Sequence, residues 1–184
     1  GGYGDGGAIF TNDSEIAEKL ISIRNHGQGK SKYNNIRTGL NGRLDTIQAA
    51  ILLEKMKIFP KELGQRNAIA KKYSKNLNQY FTCQYVPGGY ESAWAQYSVL
   101  AASTKQRSIC MKKLRDAEIP TAIYYPKPLH LQDAFNDLNY SAGDFTVAES
   151  ISQRIFSLPM HPYLSDDNIS EICDILISCK ELVQ

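Results

Sequence analysis

Apolar positions fall at helical spacing in the first part of the chain, and at alternating spacing only after residue 80. Ile16, Leu20, Ile21 and Ile23 mark one helix, with N-cap chemistry in Asn12-Asp13-Ser14-Glu15 and a stop at Gly27. Before it, Ala8 to Thr11 predicts a short buried strand after a glycine turn. Residues 28 to 40, rich in Gly, Ser, Lys and Asn and carrying Tyr33, predict a long polar loop of the kind that is more often functional than idle. Asp45 then flanks a helix with Ile47, Ile51, Leu52 and Met56 on its apolar side. Phe59-Pro60 should break that helix, and a second should run from Lys61 to Gln79 with a face of Leu63, Ile69, Tyr73 and Leu77.

Phe81 to Val86 and Ala93 to Ala101 predict strands, split by the turn Pro87-Gly88-Gly89-Tyr90. Ser108 to Ala117 reads as an amphipathic helix with Ile109 and Leu114 inward, and Thr121 to Tyr125 as a strand that ends in a double-proline loop. Phe145 to Arg154 and Asp166 to Leu182 read as helices, the second capped by Ser165. This alternation predicts an α/β fold in which helices cover one face of a small sheet. The domain boundary is expected between residues 60 and 80, giving a first part of residues 1–70 and a second of 71–184.

Composition narrows the function classes. Nineteen Asp and Glu stand against 21 Lys and Arg, and basic residues come no more than two together, as in Lys71-Lys72. Bulk charge therefore argues against a nucleic-acid or membrane partner. No apolar run approaches a membrane span and the first residues are not a signal peptide. Cys83, Cys110, Cys173 and Cys179 form no C-x-x-C pair and have no His at ligand spacing, so free thiols in a reducing cytoplasm are expected, with no metal.

Candidate chemistry concentrates in Gly39-Leu40-Asn41-Gly42-Arg43-Leu44-Asp45-Thr46, where a glycine-broken loop meets a helix start. An amide and a guanidinium at such a junction suit an anionic group, aided by the helix dipole. A solvated loop, with Arg43 paired to Asp45, is the plain alternative.

That segment, together with Gly1-Gly2-Tyr3-Gly4-Asp5-Gly6-Gly7-Ala8-Ile9-Phe10-Thr11, resembles the pyridoxal-phosphate-dependent nucleotide-sugar aminotransferases of the DegT/DnrJ/StrS type. Arg24-Asn25-His26-Gly27, Trp94-Ala95-Gln96-Tyr97, Ile119-Pro120-Thr121-Ala122, Tyr125-Pro126-Lys127-Pro128-Leu129-His130 and Leu158-Pro159-Met160-His161 extend the likeness in order to about residue 165. The resemblance implies the C-terminal part of a fold-type I aminotransferase, comprising the end of the large cofactor domain and the small α/β domain. It also places the Schiff-base lysine upstream of Gly1, so no catalytic residue is assigned here.

The resemblance implies a homodimer with shared sites, in which Asn41 reaches the neighbouring subunit's cofactor phosphate and Arg43 faces a substrate carboxylate. Tyr124, Tyr125 and His130 are implied substrate-binding residues, although relatives that process uronic-acid sugars carry His where this chain has Tyr124. His130 reads equally well as a structural turn histidine, and His161, between Pro159 and Pro162, as structural. Trp94 and Tyr97 share a strand, so at least one should be core. The implied activity is transfer of an amino group from glutamate to a keto-sugar of a nucleoside-diphosphate sugar, closest in look to enzymes making 3-amino uronic-acid sugars. Two alternatives stay open: a dehydratase branch with His in place of the lysine, and a non-catalytic folding or dimerisation module.

Overall fold

The computed structural model describes residues 2–179. The chain divides into two compact units, Gly1–Pro60 and Lys61–Gln184. In the first, α1 (Ser14–Arg24) starts at Asp13, whose carboxylate accepts the Glu15 and Ile16 amides at 2.9 and 3.1 Å. Ala8 to Thr11 forms no strand; Ile9 and Phe10 are largely exposed. A β-strand is stable only with a ladder partner, and no described residue pairs with these four.

The second helix, α2 (Thr46–Leu77), runs on through Pro60 instead of breaking there. Proline removes the bond to the carbonyl four residues back. That carbonyl belongs to Met56, and both Met56 and Pro60 are exposed, so water can serve the group left over. The expected apolar stripe is not buried either: Ile47 and Met56 are exposed, and Ile51 and Leu52 are half-buried.

The second unit holds the core. Strands β1 (Thr82–Cys83), β2 (Tyr97–Leu100) and β3 (Ile155–Leu158) form an antiparallel sheet in the order β1-β2-β3. In register, Tyr97 faces Leu158 and Val99 faces Phe156. Those four side chains are buried with Tyr73 and Leu77 of α2, Cys110 and Leu114 of α3 (Thr104–Asp116), and Ile172 and Leu176 of α5 (Asp166–Ser178). The opposite face of β2 and β3 is tied by a 2.8 Å hydroxyl pair, Ser98 with Ser157. Both strands before residue 101 are shorter than their sequence patterns suggest, and Thr121 to Tyr125 yields only the bridge Ala122–Ser157. The pattern missed β3 because Ile155-Phe156-Ser157-Leu158 does not alternate; Phe156, Ser157 and Leu158 are all buried.

α3 begins four residues before its expected start. Ser103 accepts the Gln106 amide at 3.1 Å while Gln106 Oε1 accepts the Ala102 amide at 2.6 Å, a reciprocal cap that the polar run Thr104 to Arg107 conceals. Ser165 caps α5 as expected, by accepting the Asn168 amide; the predicted end at Leu182 lies outside the described residues. Trp94 and Tyr97 are both core, with Trp94 held by Asn67 through its indole N–H at 2.9 Å. The four cysteines are free; burial pushes the Cys173 thiol up to about 11 and raises that of Cys110 further, which leaves both poor nucleophiles. Among the described residues, no helix is long and apolar enough to cross a membrane.

Candidate active site

The two motifs of the first unit are two sides of one corner. The Leu40 and Gly42 amides donate to the Ile23 and Arg24 carbonyls, each at 2.9 Å, and Leu40 in turn accepts the His26 amide at 3.0 Å. These bonds satisfy carbonyls that the end of α1 would otherwise leave open. His26 and Gly27 take left-handed backbone angles to make the turn, and Asn25 is bridged to Asn41.

Arg43 Nε donates to Asn41 Oδ1 at 3.0 Å. Both side chains are exposed, and no ion pair joins Arg43 to Asp45 among the described residues. With its oxygen taken, Asn41 presents its amide N–H donors outward, and the end of Arg43's guanidinium stays available for a two-point contact. The expected help from a helix dipole is not there. α2 starts at Thr46, and the helix end beside Asn41 is the C-terminus of α1, which is of the wrong sign for an anion. The donors are the side chains themselves.

In the second unit, Tyr124, Tyr125 and His130 line a single cleft of about 770 Å³. Its walls are mostly apolar and aromatic, with Phe135, Tyr140 and Phe145 the largest additions and Lys127 among the polar ones. The Tyr124 and Tyr125 rings meet edge to face at 5.6 Å. Two short 3₁₀ turns, Leu129–Leu131 and Asp133–Leu138, lead to α4 (Thr146–Ser152) and carry much of the wall. Lys127 pairs with Asp133 at 3.1 Å.

His130 is held rather than presented. Its Nε2 lies 3.0 Å from Glu149 Oε1, and its ring packs 4.8 Å from that of Phe145. Glu149 also accepts the Gly143 amide on both oxygens, at 2.9 and 3.0 Å, and the Phe145 amide at 3.2 Å. The Gly143 bond, followed by those to Phe145 and His130, holds the carboxyl below its ordinary range. Sequence reading missed Glu149. The signal was an acid one turn into a short helix, placed to reach back to the amides before it.

The structure thus gathers the candidates into two groups: Asn41 with Arg43 in one unit, and Tyr124, Tyr125 and His130 in the other.

Comparison with known proteins gives these groups a context. Residues 2–177 match the family described as DegT/DnrJ/EryC1/StrS aminotransferase. Among curated proteins, the chain is 41% identical over 177 residues to UDP-2-acetamido-2-deoxy-3-oxo-D-glucuronate aminotransferase of Pseudomonas aeruginosa, covering 96% of this chain and 47% of that protein. A crystal structure of a DegT DnrJ EryC1 StrS aminotransferase from Brucella abortus superposes with a TM-score of 0.90 at 46% identity, over 97% of this chain and 47% of that one. DesV of S. venezuelae, solved in complex with a ketimine intermediate, superposes at 0.85 with 29% identity, over 95% and 46%. The chain spans about half the length of the curated relatives it matches. Its α/β fold is that of one part of such an enzyme, and the chain belongs to the DegT/DnrJ/EryC1/StrS aminotransferase family.

Proposed function

We propose that this chain is the C-terminal part of a pyridoxal-phosphate-dependent aminotransferase. The whole enzyme moves an amino group from glutamate to a keto-sugar carried on a nucleoside diphosphate, for polysaccharide or glycan synthesis. It acts in the cytoplasm as a homodimer with shared active sites. The observation that carries this reading is the family match over residues 2–177 together with the outward donors of Asn41 and Arg43.

These donors fit the cofactor's phosphate. Asn41's amide N–H groups have no partner among the described residues, and an exposed amide fixed through its oxygen can donate to a phosphate oxygen without reorganising. Pyridoxal phosphate, when bound, supplies the electron-withdrawing ring that lets the amino donor lose its α-proton. This chain's own part is binding and orientation. Arg43 meets a substrate carboxylate in two-point fashion, which agrees with a relative that acts, by its name, on a 3-oxo-glucuronate. Tyr124 and Tyr125 offer hydroxyls to the sugar at the mouth of the cleft, and the apolar wall keeps water from the bound ring. His130 forms part of that wall.

The test is amino transfer by the full-length gene product given ¹⁵N-glutamate and a UDP-linked 3-keto uronic acid. The expected product is a sugar carrying ¹⁵N at the former keto carbon. A product that has lost a hydroxyl and gained no nitrogen would overturn the reading in favour of a dehydratase.

A further inference from the structure

From Tyr124 to Ile151 no residue is fully buried, yet the segment keeps a defined course. Several of its internal ties converge on one carboxylate. Glu149 collects the Gly143 and Phe145 amides and the His130 ring, whose Nε2 is 3.0 Å away. His130 in turn packs on Phe145, and Phe145 meets Tyr140 edge to face at 4.9 Å. The His130 side chain is only 8% exposed and that of Glu149 24%; His130 forms part of the cleft lining, and Glu149, which is not among the lining residues, holds it. Gly143, at a φ of +100°, provides the turn that aims its N–H at Glu149.

We infer that Glu149, with His130 bound to it, is a positioning residue that holds the aromatic wall of the cleft and thereby sets affinity for a sugar nucleotide. The geometry stands by itself; the ligand rests on the nucleotide-sugar reading above. Hydrogen bonds to an ionised carboxylate are the strong kind, and here several of them close one loop. The segment's other hydrogen bonds are local ones, such as the exposed Lys127–Asp133 pair, a 3.0 Å bond from Gln132 Nε2 to the Lys127 carbonyl and a 2.7 Å bond from the Ser141 amide to Asp144. A segment with so few buried contacts opens locally and leaves the core intact.

Amide exchange on the 184-residue chain tests the positioning role directly. Glu149→Ala should speed exchange at Gly143 and Phe145 at least about tenfold, while Val99 and Ile172 in the core keep their rates. Glu149→Gln keeps one acceptor oxygen and should fall between. Unchanged exchange at Gly143 and Phe145 in Glu149→Ala would overturn the role. Calorimetry with UDP-glucuronate on the full-length gene product tests its consequence: Glu149→Ala should weaken binding about tenfold. Quickened exchange with unchanged affinity would overturn the link to the ligand. If wild-type protein does not bind UDP-glucuronate, the nucleotide-sugar reading of the cleft fails, and the exchange rates still decide the role of Glu149.

Discussion

Gly39 and Gly27 cross so closely that neither has room for a side chain. A Cβ on Gly39 would stand 2.0 Å from the Gly27 nitrogen, and one on Gly27, at a φ of +74°, only 1.8 Å from the Arg37 carbonyl oxygen. These contacts are backbone, so no rotamer change relieves them. Gly39→Ala should therefore cost on the order of 3 kcal/mol locally and spread the corner that carries Asn41. Loss of exchange protection at Leu40 and Gly42, whose amides now bind the end of α1, is the measurement; wild-type protection in the variant would contradict the account. The sequence announced a turn here, because Gly-x-Asn-Gly is turn chemistry. It did not announce that the motif before Gly27 was the other side of the same turn, since that pairing is a matter of tertiary contact.

At the scale of elements, what could be read in advance was what local chemistry decides. Asp13 and Ser165 cap their helices as their side chains suggest, and Ile69, Tyr73 and Leu77 bury the expected face of α2. Elements that depend on a partner were not legible: Ala8 to Thr11 has strand composition and no strand to pair with, and β3 lacks alternation because neither of its faces meets water over Phe156 to Leu158. The cleft wall falls between these cases. Its aromatic residues are plain in the sequence, but the carboxylate that orders them lies in the next helix. Glu149 also gives the wall a pH dependence of definite sign. Its folded pKa is depressed, so its stabilisation is complete above the unfolded carboxylate range and is lost as pH falls through the folded value. Gly143 amide protection should hold at neutral pH and fall away only in acid below that ordinary range, ahead of the core amides. Protection that declined instead as pH rose from neutral would contradict the assignment.

For the molecule as a whole, the uneven distribution of buried surface matters most. Every buried hydrophobic residue among those described lies between Ile69 and Cys179, whereas Tyr3, Phe10, Ile47, Leu53 and Met56 of the first unit are exposed. Exposed apolar surface on this scale marks a contact face, as expected of a chain that spans about half the length of its relatives. In the proposed homodimer, Asn41's amide belongs to the neighbouring subunit's cofactor phosphate, and the central claim can be put to one comparison. Pyridoxal phosphate and pyridoxal differ only by the phosphate, so titrating both into the apo form of the full-length gene product, wild type and Asn41→Ala, isolates that contact. The account predicts that the substitution weakens pyridoxal phosphate about tenfold, as loss of a charge-assisted hydrogen bond should, and leaves pyridoxal unchanged. Equal weakening of both, or of neither, would contradict it.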